Sequence, residues 1–236
     1  MIGPEAGAST YSSAMEAATN YNTWLIDAFS RYFGQSVLEI GIGHGGFYEL
    51  MPPLRHYIGL DLDADLVHRA QERYPDLRFV QGDLADPALP RQFTRMAIDT
   101  VFCANVLEHV PDHQTAVRNM VEIVQPGGHV LLFVPAFRWL YNDLDRLAGH
   151  QRRYMMQDLV RLAPPNAKIR RLEYFNPAAV LPWWLNGRVT HRSLETPLVN
   201  SQVAFFDRYV LPISRAVTPL TRKWFGQSIV CVLRRT

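Results

Sequence analysis

Cysteine is nearly absent: Cys103 and Cys231 are the only two, and each sits inside an apolar stretch. That excludes a disulfide framework and reads as two buried thiols in a reducing compartment. Lysine is equally scarce, since 22 of the 24 basic residues are arginine. Long apolar runs are missing too. The stretch "VLLFVPAF" falls far short of a membrane span. The opening "MIGPEAGAST" has neither the basic start nor the apolar centre of a secretory leader, so a cytoplasmic location is expected. There is no internal repeat, no low-complexity tract and no recognisable nucleic-acid-reading module, so nucleic acid is not an expected partner.

The 236 residues are 48% hydrophobic and 19% charged, which suits one sizeable globular core with a lid. The net charge of +2 hides an asymmetry. Residues 1–149 hold 10 Lys+Arg against 18 Asp+Glu, a net of −8; residues 150–236 hold 14 against 4, a net of +10. An arginine-rich second half suits bidentate contact with carboxylate or phosphate, or a weak peripheral contact with an anionic membrane. A plain solvated basic face is the other reading. Oligomeric state is not legible.

Strand-like stretches recur at 36–40, 56–61, 77–81, 99–104 and 129–134, with helical patterns between them at 46–51, 63–74 and 112–125. This alternation predicts a parallel sheet with helices on both faces. One or two helices are expected over roughly 11–33. After residue 135 come a loop, a helix near 155–163, a strand at 168–175, some fifty residues rich in Pro and Trp, and a last strand at 228–235. The expected organisation is an N-terminal helical cap (1–34), a core (35–175), a Pro/Trp-rich insert or lid (176–227) and a final core strand (228–236).

The stretch "VLEIGIGHGG" carries the chemistry. A buried strand runs into Gly41, Gly43, Gly45 and Gly46, with Glu39 just before them. Glycine there lets the chain turn sharply and lets a ligand touch the backbone. The spacing is one residue tighter than the dinucleotide pattern, and Glu39 would repel a phosphate. A ligand with a positive amino group suits it better, which argues against a nicotinamide oxidoreductase.

"LEIGIGHG" resembles motif I of the class I S-adenosylmethionine-dependent methyltransferases, small-molecule type. Further landmarks follow in order: "IGLD" ending at Asp61, "QGDL" around Asp83, "NVLEHV" at 105–110 and "QPGG" at 125–128. "LYNDLDRLAGHQRRY" resembles a bacterial subgroup with a GHxRRY segment after strand five. The resemblance implies an α/β Rossmann-like fold: a seven-stranded, doubly wound, mostly parallel sheet with an antiparallel last strand. It implies S-adenosylmethionine as cofactor, with S-adenosylhomocysteine as product. Glu39, Gly41 and Gly43 would cradle its methionine part, Asp61 its ribose, and Leu62, Asp83 and Leu84 its adenine, while Asn105 would meet the methionyl end. Asp83 also fits a plain turn residue, and Asn105 a helix cap. Tyr11 and Tyr21 could let an N-terminal helix cover the cofactor, as such helices do in relatives.

The expected activity is methyl transfer to an O, N or C atom of a small-molecule acceptor, anionic and lipid-linked ones included. The alternative is a relative that binds the cofactor without transferring from it. Placing the nucleophile in line with the S–CH3 bond is the main task, and a hydroxyl or acidic carbon also needs a base. His150 and His109 are the leading candidates, with His44 behind them; each also fits a structural role. Trp139, Tyr141, Tyr154 and Trp183 are expected as acceptor walls, and Arg152 and Arg153 as an anion clamp, unless one pairs with Asp143 or Asp145. No metal is expected: His109 and His113 have helical spacing, but Pro111 between them argues against a shared helix.

Overall fold

The computed structural model describes residues 18–43, 47–187 and 197–236. Helix α1 (Thr19–Phe29) leads into β1 (Ser36–Ile40) and β2 (His56–Asp61). Then come α2 (Ala64–Arg73), β3 (Arg78–Gln81), the short α3 (Leu89–Phe93), β4 (Thr100–Ala104), α4 (His113–Ile123) and β5 (His129–Pro135). The chain continues through α5 (Asp143–Leu147), α6 (Met156–Leu162), β6 (Ala167–Phe175), α7 (Val180–Asn186) and α8 (Pro197–Phe205). A π-helical turn (Phe206–Val210) joins α8 to α9 (Leu211–Thr221), and β7 (Ser228–Arg235) closes the chain.

The seven strands lie in the order β3-β2-β1-β4-β5-β7-β6. β7 is antiparallel to both neighbours, so β6 points the same way as the parallel strands. The expected topology and strand positions are therefore present. One expectation needs correction. Between β1 and β2, the described residues hold only a single 3-10 turn, Tyr48–Leu50, where a helix over 46–51 was expected. Pro52 and Pro53 follow at once, and the residue before a proline is pushed out of the helical region. The short α3 was missed, because five residues are too few to show a period.

Alternation along the strands sorts the core into two layers. Leu38, Ile40, Val101, Cys103, Leu132 and Cys231 face one side, against Ala116, Val117, Met120 and Val121 of α4. Val37, Phe102, Phe133, Val230 and Val232 face the other, against Leu25 and Phe29 of α1. Both cysteines are buried and free, which matches their apolar settings in the sequence. Phe29 meets Phe102 edge-on at 5.9 Å. Truncating either ring to alanine would cost about 3–5 kcal/mol. Asp207, in the π turn, accepts from the backbone N–H of Tyr21 at 2.8 Å and from the Asn20 side chain at 3.0 Å. A buried carboxylate from the late segment thus binds the start of α1.

Three non-glycine residues with left-handed backbone follow β4, β5 and β6: Asn105 (φ 54°), Phe137 (φ 61°) and Asn176 (φ 58°). All three stand at the carboxyl edge of the sheet. Such strain concentrates where a fold must aim side chains, and ligands of open α/β sheets bind outside that edge.

Candidate active site at the carboxyl edge

Glu39 sits one residue before the end of β1, among residues of the α1 layer. It is 1% exposed. Its Oε2 accepts from the Tyr57 hydroxyl at 2.7 Å, while Oε1 has no partner among the protein atoms. Burial pushes its pKa up to about 8, against the Tyr57 hydrogen bond, which lowers it; the Asp61 charge adds to the rise. Gly41 and Gly43 then turn the chain with φ of +73° and +51°. A Cβ at Gly41 would overlap Cγ2 of Val106. Gly41→Ala is therefore expected to lower thermal stability by about 1–3 kcal/mol and to distort the bend. Melting curves check the first effect, and calorimetric titration with S-adenosylhomocysteine the second.

Asp61 ends β2. Burial raises its pKa, opposed by backbone amides of Asp63 and Gly43, the first of them at 3.0 Å. The next residue, Leu62, is 57% exposed, an apolar side chain standing open beside the edge. Asp83 is exposed and accepts from the Ala85 amide at 2.8 Å, a local turn that leaves its other oxygen outward. Leu84 is buried. Its carbonyl and that of Asp86 both accept from the Asn119 amide of α4 at 2.8 Å, so a helix on the far side of the loop holds it. Asn105 is exposed, and its amide donates to the Phe133 carbonyl. All of the expected cofactor residues outside 44–46 thus gather at the ends of β1 to β4.

A second cluster lies at the ends of β4 and β5. Asp145 of α5 is fully buried and serves three donors. His150 Nδ1 lies 2.7 Å from its Oδ1, Arg153 Nε donates to the same oxygen at 2.8 Å, and the Asn142 amide donates to Oδ2 at 3.0 Å. The other ring nitrogen of His150, Nε2, lies 3.7 Å from Glu108 Oε1. Glu108 is fully buried and neither of its oxygens has a hydrogen-bond partner in the protein. Burial raises its pKa to about 7, moderated by His150 and Arg153. The His109 ring meets the His150 ring edge-on at 4.8 Å. Burial, then the His150 charge, pushes the pKa of His109 down to about 4. Tyr141 donates to the His150 carbonyl at 2.7 Å and fixes the backbone.

Ligand-type atoms of Glu108, His109 and His150 lie within 4.8 Å of one another. His113 takes no part; its Nδ1 lies 2.9 Å from the Tyr154 hydroxyl. His109 and His113 fall on separate elements, the turn Leu107–His109 and α4, with Pro111 between.

Several expected acceptor contacts are corrected. Tyr154 is buried, donates to the Leu107 carbonyl at 3.0 Å and belongs to the core, so it lines no wall. Arg153 is buried on Asp145 and also donates to the Ala136 carbonyl. Arg152 donates to the carbonyls of Val110 and Pro111. An anion clamp needs donors facing outward; the Arg153 guanidinium is buried, and that of the half-buried Arg152 is spent on carbonyls. Trp183 donates to the Leu140 carbonyl at 3.2 Å, with the Arg153 guanidinium 4.7 Å above its ring. Trp139 is exposed beside Phe137. Tyr21 packs between Phe133 and Phe175, which gives it a core role. His44 and Tyr11 lie outside the described residues. The sequence did not single out Tyr57 or Asn119, and it named Asp145 only as a partner for one of the two arginines, the pairing that Arg153 makes. Only Asp145 had a local signal, five residues before His150 inside "LDRLAGHQRRY".

Residues 38–132 match the family described as a methyltransferase domain. Over that stretch the chain is similar to the S-adenosylmethionine-dependent methyltransferases. That span runs from within β1 to within β5 and so contains every cofactor-side residue above. The chain is 29% identical over 114 residues to a trans-aconitate 2-methyltransferase of Afipia carboxidovorans, covering 47% of this chain and 43% of that one. It is 34% identical over 106 residues to a probable S-adenosylmethionine-dependent methyltransferase of Mycolicibacterium smegmatis, covering 44% and 40%. The chain thus spans under half the length of these curated relatives. N-methyltransferase NodS from Bradyrhizobium japonicum, solved with S-adenosylhomocysteine, shares the methyltransferase fold: TM-score 0.54, 16% identity, 92% of this chain and 86% of that one.

Proposed function

We propose that the chain binds S-adenosylmethionine along the ends of β1 to β4 and directs its methyl group to an O, N or C atom of a small-molecule acceptor. One observation carries this reading: a buried carboxylate, Glu39, with an unpartnered oxygen beside a side-chain-free bend. A cationic amino group is the partner that oxygen lacks. When bound, the cofactor supplies a methyl group already activated by its sulfonium, ready for in-line displacement.

The rest falls to this chain's residues. Glu39 holds the amino group, the Gly41–Gly43 backbone approaches the methionine part, and Asn105 meets its end. Asp61 accepts from the ribose hydroxyls, Leu62 and Leu84 flank the adenine, and Asp83 accepts from its amino group. On the acceptor side His150 is the base. Asp145 orients it through Nδ1, so Nε2 carries the lone pair toward Glu108 and the acceptor space. His109 lies against its ring, and Trp139, Tyr141 and Trp183 border the space. The excess of basic residues over 150–236 favours an anionic or lipid-linked acceptor. Arg153 beside the cluster disfavours a further cation, so the carboxylate and imidazoles work by proton transfer rather than on a metal.

Calorimetric titration with S-adenosylhomocysteine tests the cofactor half, and absence of heat from folded protein would sink it. Methyl-labelled S-adenosylmethionine with fractionated small-molecule extract tests the transfer; binding without label transfer favours the non-methylating alternative. His150→Asn is expected to lower the transfer rate about 10²–10⁴-fold with S-adenosylhomocysteine affinity unchanged. Dialysis against a chelator is expected to leave the rate unchanged. Loss that a divalent metal restores would replace the base by a metal centre.

A further inference from the structure

The late helical segment presents an apolar stripe to solvent. Phe205, Tyr209, Ile213, Val217, Leu220 and Trp224 are each between 38% and 73% exposed. Their spacing is four, four, four, three and four residues. On a pure α-helix a strict four-residue repeat drifts around the cylinder, because a turn holds 3.6 residues. The π-helical turn at Phe206–Val210 has a wider turn and takes up that drift, so the stripe stays on one side. The inward side carries Asp207, Leu211 and Ser214, all buried. Ser214 donates to Asn176 at 2.8 Å, which seats α9 directly on the carboxyl edge of the sheet.

The charge pattern is one-sided. Between 197 and 225 the only acidic residue is Asp207, which is buried on α1, whereas Arg208, Arg215, Arg222 and Lys223 are exposed. Arg215 pairs with Asp27 in solvent, where such pairing is weak and easily exchanged, and Arg222 pairs with the half-buried Glu173. Patches of aromatic and aliphatic side chains of this size are uncommon on a free surface. No helix among the described residues is long and apolar enough to cross a membrane.

We propose that this stripe is a membrane-docking surface: α8, the π turn and α9 lie in the headgroup region of an anionic bilayer, with the six apolar side chains inserted. Aromatic and aliphatic groups on one side with arginine and lysine beside them is the pattern of an interfacial helix. Charge decides between a bilayer and a second copy of the chain. A two-fold partner would set Arg208 and Lys223 against their own copies, whereas anionic lipid complements them. Because α9 rests on the carboxyl edge, docking holds the candidate active site next to the bilayer surface. The proposal stands on the stripe and its charges and does not depend on methyl transfer.

Co-sedimentation of the full chain with phosphatidylcholine vesicles, with and without phosphatidylglycerol, tests it. Binding is expected to the anionic vesicles and to weaken in high salt. Combined Ile213→Ser, Leu220→Ser and Trp224→Ser substitutions are expected to weaken it about tenfold or more. Arg208→Glu with Lys223→Glu is expected to weaken binding to the anionic vesicles by a similar factor. Thermal melts and S-adenosylhomocysteine affinity should be unchanged in both variants, showing that the fold is intact. No binding by the unaltered chain overturns the proposal, as does binding that survives the triple substitution. So does a concentration-dependent dimer, seen by light scattering and abolished by the same three serines.

Discussion

Glu39→Gln is expected to weaken binding of S-adenosylhomocysteine by roughly 30-fold or more while making the unliganded protein more heat-resistant at pH 8. The first effect follows from losing a charged hydrogen bond in a buried site, worth about 1.5–3 kcal/mol. The second follows from proton binding. Folded, Glu39 keeps its proton up to about pH 8; unfolded, it releases it near its ordinary value of 4.5. Between those values the folded state binds more protons, so rising pH costs stability, and the neutral amide removes that cost. The advantage of the variant should therefore shrink toward pH 5. Melting curves across pH 5 to 8 measure this. For the unaltered protein, a cationic amino group arriving beside Glu39 favours its ionised form. Affinity is thus expected to rise from pH 6 to 8 with release of up to one proton, read by calorimetry in buffers of different ionisation enthalpy. Equal affinity of the variant and the unaltered protein would dismiss Glu39 as the cofactor's anchor.

Asp145→Asn is expected to be the most damaging single change at the acceptor side. It removes the negative charge shared by His150 and Arg153 and leaves a buried guanidinium uncompensated. Breaking a buried pair from one side costs about 3–5 kcal/mol. For a chain of this size that is roughly 6–20 °C in melting temperature. Transfer should also fall, because His150 loses the group that sets its tautomer. Comparison with His150→Asn separates the two effects: that variant should lose transfer with a much smaller loss of melting temperature, since Arg153 keeps its partner. If Asp145→Asn melts like the unaltered protein, the buried network contributes no stability of this size.

Much of this was legible along the chain. Strand positions followed from four-to-seven-residue apolar runs closed by glycine, proline or aspartate, and their order from parallel alternation. The cofactor residues were legible because they lie within a few positions of strand ends, where backbone geometry alone sets their place. The acceptor side was not. Arg152, Arg153 and Tyr154 have the chemistry of a binding wall, yet Arg153 and Tyr154 are buried and Arg152 donates to backbone carbonyls. Their roles depend on the carbonyls of Leu107, Val110, Pro111 and Ala136, which are 17 to 47 residues away.

By itself the sequence determined the sheet, its glycine bend and the carboxylate beside it, because these rest on local backbone preference and on periods of burial that any short window contains. Only the tertiary structure decided which polar groups meet: Asp145 under His150, Glu108 without a hydrogen bond, Tyr57 on Glu39, and an apolar stripe facing outward across a π turn. Those outcomes depend on which long-range neighbours take up each donor and acceptor, and no local pattern carries that information.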